Sequence, residues 1–139
     1  MKEFFEFCMY PIKKALWAPA AVFIFYVSVI HLGLSDVVPE WWDIPVHFLG
    51  GVTICYLFWT ASKAPHAVKF LGQHTRFSLF VLLVALTALA AVLWEIAEWV
   101  DDALSNREIQ VTVTDTICDM FMGLLGGATV ALRAAIKHN

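Results

Sequence analysis

Four stretches of the chain are long and apolar, and polar residues punctuate them instead of alternating with them. The first runs from about residue 15 to 34 and carries no Asp, Glu, Lys or Arg. The second, about 43–61, opens on Asp43 and is followed by Ser62 and Lys63. The third, about 77–100, is uninterrupted until Glu95, and the fourth covers about 112–135. A spanning helix needs about 20 mostly apolar residues. The pattern therefore predicts an all-α integral membrane protein, a four-helix transmembrane bundle forming one domain over residues 1–139. Ahead of it, Lys2 to Lys14 mixes Phe4, Phe5, Phe7 and Tyr10 with Lys and Glu. That mixture predicts a short interfacial helix ended by Pro11. Glu3 and Glu6, and a first apolar run longer than an h-region of about 7–15 residues, favour a signal anchor over a cleaved signal peptide.

Composition sharpens this reading. Of 139 residues, 60% are hydrophobic and 15% charged, where an average soluble protein has about 25% charged. So small a body could not hide that much apolar surface from water. The same numbers exclude disorder, and the lack of a basic excess excludes a nucleic-acid partner. Cys8, Cys55 and Cys118 are odd in number and lack metal-like spacing, which excludes a disulfide framework or a CxxC zinc site.

Lys and Arg set the orientation. Lys2, Lys13, Lys14, Lys63, Lys69, Arg76, Arg133 and Lys137 all fall on one side of a four-span arrangement, and Arg107 alone on the other. Both termini are therefore expected in the cytoplasm, in a multi-pass protein of the inner (plasma) membrane. The acids take the opposite distribution. Glu3 and Glu6 are inside, and Asp36, Glu40, Asp43, Glu95, Glu98, Asp101, Asp102, Glu108, Asp115 and Asp119 lie toward the outside. Acids contribute little to topology, so this excess has no topological cause.

Helical rise of about 1.5 Å per residue brings several of these groups to a similar depth. His47 lies one turn below Asp43, Asp119 one turn below Asp115, and His31 about one turn from the outer end of its span. Glu98 and Glu95 lie about one and two turns from the expected end of theirs. The i, i+3 and i, i+4 spacings put each set on one helix face. Gly50, Gly123, Gly126 and Gly127 adjoin these faces and predict close packing. Some of the acids have structural explanations. Asp43, two residues before Pro45, suits a cap, and Thr112 with Asp115 forms a T-x-x-D capping box. Asp101 and Asp102 read as solvated loop acids, and Cys118 as packing. His47, Glu95 and Asp119 lie beyond the reach of caps, and an intramembrane carboxylate marks a functional site by default. The helix dipole disfavours Glu95 and Glu98 near a C-terminus, and Arg107 is a single counter-charge for ten acids. Protonated carboxyls or a bound cation would relieve this.

A divalent metal is the economical answer, with Asp43, His47, Glu95, Asp115 and Asp119 as ligands. Oxygen ligands suit Mg, Mn or Ca, and an imidazole shifts the preference toward Mn, Fe or Zn. Three segments, Asp43-Ile-Pro-Val-His47-Phe, Trp94-Glu95-Ile-Ala-Glu98-Trp99 and Asp115-Thr-Ile-Cys-Asp119-Met120, resemble the YjdF-like small bacterial inner-membrane proteins. Those show D-x-x-x-H, E-x-x-E-W and D-T-x-x-D-M in this order. The first element is also similar to VanZ-like proteins. The resemblance supports the site and does not imply a reaction.

Three functions compete. The first is a metalloenzyme with Glu98 as general base, acting on a lipid head group or an isoprenoid phosphate. The second is a cation or proton relay, although the inner halves of the third and fourth spans continue no polar path. The third is a metal-binding or assembly subunit. The bilayer, a lipid substrate and a second copy of the chain are the candidate partners.

Overall fold

The computed structural model describes residues 1–32, 34, 37–38, 41–105 and 112–138. Those residues form six helices, in order α1 (Lys2–Ala15), α2 (Trp17–His31), α3 (Asp43–Ala61), α4 (Ala67–Leu71), α5 (Arg76–Ser105) and α6 (Val113–Lys137). No strand occurs among them. Helices α3, α5 and α6 are each long and apolar enough to cross a membrane, and α1 and α2 together would make a fourth crossing bent by 59°.

Proline chemistry places that bend. Pro19 has no N–H to give the carbonyl of Ala15, and its ring crowds the same carbonyl four residues back. The helix breaks there, between Ala15 and Trp17. Pro11 does not end the interfacial helix as its chemistry predicts. Helix α1 runs through it to Ala15, because losing one hydrogen bond is tolerated where packing continues on both sides. Residue 33 lies outside the described residues, and within the expected first span of 15–34 helix α2 covers 15 residues. At 1.5 Å per residue these rise about 22 Å, less than a bilayer core of about 30 Å.

The third span differs in the other direction. Helix α5 reaches Ser105, since residues 101–105 contain neither Gly nor Pro to stop it. Hydropathy marks where the lipid ends, and helix propensity continues past it. Asp101 and Asp102 are therefore helical, not loop acids. Helix α6 starts as expected, with the Asp115 N–H donating to the Thr112 hydroxyl at 3.1 Å.

Helices α3 and α6 form the tightest pair. A Cβ on Gly51 would sit 1.8 Å from the carbonyl oxygen of Gly123, and one on Gly126 would sit 2.0 Å from that of Phe48. These backbones touch, as small-residue seams allow. The apolar core lies below the seam, where Cys55, Leu79, Leu83, Ala131 and Ala134 are buried together. Ile117, Phe121, Leu125, Leu132 and Ile136 point outward from α6, a face suited to lipid. Both ends of the chain meet the segment between α3 and α5. Glu3 pairs with Lys69, Phe4 and Phe7 pack on Phe70, and the Arg76 Nε–H donates to the His138 carbonyl at 2.9 Å.

Candidate functional site

Three helices converge on one histidine. His47 projects from α3 one turn below the start of the helix. Its Nδ1 lies 3.7 Å from Oε1 of Glu95 on α5. Its Nε2 lies 3.9 Å from Oε1 of Glu98 and 3.9 Å from Oδ2 of Asp119 on α6. All four side chains are more than nine-tenths buried. Their ligand-type atoms fall into two groups, each within 4.8 Å: His47 with Glu95 and Glu98, and Asp43 with Asp115 and Asp119. The His47–Asp119 approach joins the two groups.

The local fold explains the convergence. The α3–α6 glycine seam brings His47 and Asp119 to adjacent backbones. Gly127 lets α6 approach Thr87 of α5, where an added Cβ would lie 2.5 Å from Thr87 Cγ2, and so carries Asp119 toward the Glu95–Glu98 face. Asp43 sits in the first turn of α3 and its Oδ1 accepts from the Ile44 N–H at 2.9 Å. Asp115 sits in the first turn of α6, where the positive end of the helix dipole favours it.

Every residue expected in the metal set, together with the expected base Glu98, lies in this one place. Other expectations change. Helix α5 continues to Ser105, so Glu95 and Glu98 are about two to three turns inside it. The dipole acts within the last turn and does not strain them. His31 belongs to neither group and approaches Asp101 at 4.0 Å. Cys118 is exposed, not packed. Gly50 meets nothing within 4 Å of an added Cβ, so its neighbour Gly51 makes the expected close contact. Arg107 lies outside the described residues, as do Asp36, Glu40 and Glu108.

Sequence reasoning missed two residues. Helix α2 contributes Tyr26, whose hydroxyl donates to Glu98 Oε1 at 2.5 Å. Trp94 Nε1–H donates to the same oxygen at 2.7 Å. The two rings pack edge to face with centroids 4.9 Å apart. Signals for both exist. Trp94 is four residues before Glu98, on its face, and a buried Tyr hydroxyl in an apolar span needs a partner.

The separations around His47 carry chemical meaning. An N–H···O hydrogen bond spans 2.7–3.2 Å, so contacts of 3.7–3.9 Å are too long to be one. Among the described residues, neither ring nitrogen has a hydrogen-bond partner. Two ligand atoms that share an ion at about 2.0–2.2 Å lie no more than about 4.4 Å apart. The three contacts of His47 fall under that limit, whereas each of the two groups as a whole extends to within 4.8 Å.

Residues 4–139 match the model of a family described as "Predicted membrane protein (DUF2238)". No curated protein and no solved structure matches the chain.

Proposed function

The chain belongs to this family of predicted membrane proteins, and on that premise we propose that it is a membrane metalloprotein acting on a lipid-like substrate. The four-span arrangement with both termini in the cytoplasm belongs to the proposal, as does residence in the bacterial inner membrane. The lysine and arginine distribution supports both. The motif resemblance to YjdF-like proteins is compatible with the family.

One observation carries the metal reading: His47 lies 3.7–3.9 Å from carboxylate oxygens of Glu95, Glu98 and Asp119 in a nearly dry site. His47 would give an ion one ring nitrogen, Nδ1 on the side of Glu95 or Nε2 on the side of Asp119, and Asp43 and Asp115 stand with Asp119. One imidazole among carboxylates favours Mn, Fe or Zn, with Mg the less suited ion. A bound divalent ion would polarise an ester or phosphoryl oxygen and activate water. Glu98 is the proton-accepting group. Tyr26 and Trp94 hold it by Oε1, which fixes the direction of Oε2.

The test is elemental analysis of protein purified without chelator. Wild type is expected to carry stoichiometric metal, and Glu95→Ala at least tenfold less. Equally little metal in both would end the metal reading. Turnover of lipid extracts that depends on the metal and is lost in Glu98→Ala supports the enzyme. Retention of metal without any turnover would favour a binding subunit.

A further inference from the structure

Beneath the polar cluster lies a cavity of about 400 Å³ bounded by α2, α3, α5 and α6. His47, Asp119 and Tyr26 close one end, and Leu16, Pro19 and Leu57 line the other. Between those ends the wall is almost wholly apolar. From His47 to Leu57 the helix rises about 15 Å, half of a hydrocarbon core of about 30 Å. A volume of 400 Å³ drawn out over that length suits one hydrocarbon chain, and the cavity is open along part of its side.

Helix packing explains why the space exists. Helix α2 packs on α3 and meets α5 near the cluster, where Phe23 and Tyr26 touch Trp94. Below those rings the helices stand apart. Gly50 faces the gap. Glycine weakens a helix interior relative to alanine, and a seam of close contacts explains Gly51 and Gly126. Gly50 has no such explanation, because a Cβ there meets nothing within 4 Å. What its missing side chain preserves is the bore of the cavity.

We infer that this cavity binds the tail of a lipid with one hydrocarbon chain, placing its anionic oxygen head group at the His47–Asp119 end. The occupant follows from the shape. An apolar bore as long as one leaflet is deep, closed at one end by metal-ligand side chains, matches an anionic head on a single tail. The head-group end rests on the metal reading; the tail end does not.

The experiment reconstitutes the full chain in nanodiscs with a divalent metal. It adds a trace of monoacyl glycerophosphate, or in a parallel arm isoprenyl monophosphate, each with a photoreactive group in the tail. Labelled peptides are mapped by mass spectrometry. Label is expected on the cavity wall, around Ile54, Leu57 and Ala90. Gly50→Phe is expected to reduce it at least tenfold, and the smaller Gly50→Ala to reduce it less. Ala20→Phe fills the cavity from a different helix and is expected to match Gly50→Phe. Metal content, measured on the same samples, reports whether the variants keep the fold of the site. The stronger arm identifies the straight or the branched chain. The inference is overturned if neither probe labels the cavity wall more than the outward face of Phe121 and Leu125. It is equally overturned if Gly50→Phe and Ala20→Phe retain both metal and label. Label on the wall that is lost in Gly50→Phe, in a protein that carries no metal, keeps the tail site and removes only the metal reading.

Discussion

Glu98 Oε1 receives two hydrogen bonds, from Tyr26 and Trp94, and stands 3.9 Å from His47. Tyr26→Phe removes one donor and keeps the ring that packs on Trp94 and Trp42. A buried acceptor that loses a partner costs about 1–3 kcal/mol. Chemical denaturation in mixed micelles should show that loss, and elemental analysis should show unchanged metal. A Tyr26→Phe protein as stable as wild type would mean that the hydroxyl does not hold Glu98. This residue also shows why the site was only partly legible. His47, Glu95 and Asp119 stand out because ionisable groups inside apolar runs are costly. Tyr26 hides because a phenol is at home in a membrane helix, and its partner lies 72 positions away. Periodicity within one helix cannot reveal a hydrogen bond between two. His31 misled for the same reason. Its depth suits the cluster, but its direction takes it to Asp101.

Adjacent glycines on one helix have opposite roles. Successive residues turn about 100°, so Gly51 faces α6 while Gly50 faces the cavity. Gly51→Ala forces a Cβ to within 1.8 Å of a backbone oxygen, which separates α3 from α6. Overpacking of this kind costs about 1–3 kcal/mol or more, whereas Gly50→Ala should gain about 0.5–1 kcal/mol of helix stability. A thermal-unfolding comparison reads both, and equal midpoints would contradict the seam. The sequence showed that small residues gather on these faces. It could not show which one touches, because that depends on the rotation of two helices at once. The ends of elements were similarly half visible. Apolar runs located the spans, but the break at residue 16 depends on Pro19, and the extension of α5 to Ser105 depends on the absence of a breaker. At the other end of the bundle, α1 is tied to α4 by Glu3 and Lys69. The lysine holds the exposed Glu3 carboxyl below its ordinary value. The folded value lies under the unfolded one, so the pair acts fully at neutral pH and fades as pH falls through the acidic range. The protection of α1 against hydrogen exchange, corrected for the intrinsic slowing of exchange in acid, should fall on acidification in wild type. In Glu3→Gln that protection should be low at both pH values, and added salt should narrow the difference.

The cluster joins three helices that lie far apart along the chain. His47 and Asp43 come from α3, Glu95 and Glu98 from α5, Asp115 and Asp119 from α6. Without a cation, bringing these carboxylates together opposes the glycine seam. With one, the same groups hold three helices at a single point. A ligand that binds the folded state stabilises it by about 2.7 kcal/mol when free ligand exceeds its Kd a hundredfold. Titrating Mn or Zn into chelator-stripped protein should therefore raise the unfolding midpoint, with a rise that grows logarithmically with free metal. Glu95→Gln and Asp119→Asn, made on different helices, should each flatten that rise. Gly50→Ala should leave it intact, because Gly50 borders the cavity and supplies no ligand atom. A midpoint that does not respond to metal would leave the acids without a stabilising partner of this kind. A response equal in wild type and in both acid variants would place the binding elsewhere on the molecule. Proportional loss in both variants would tie the stability of the bundle to occupancy of the site.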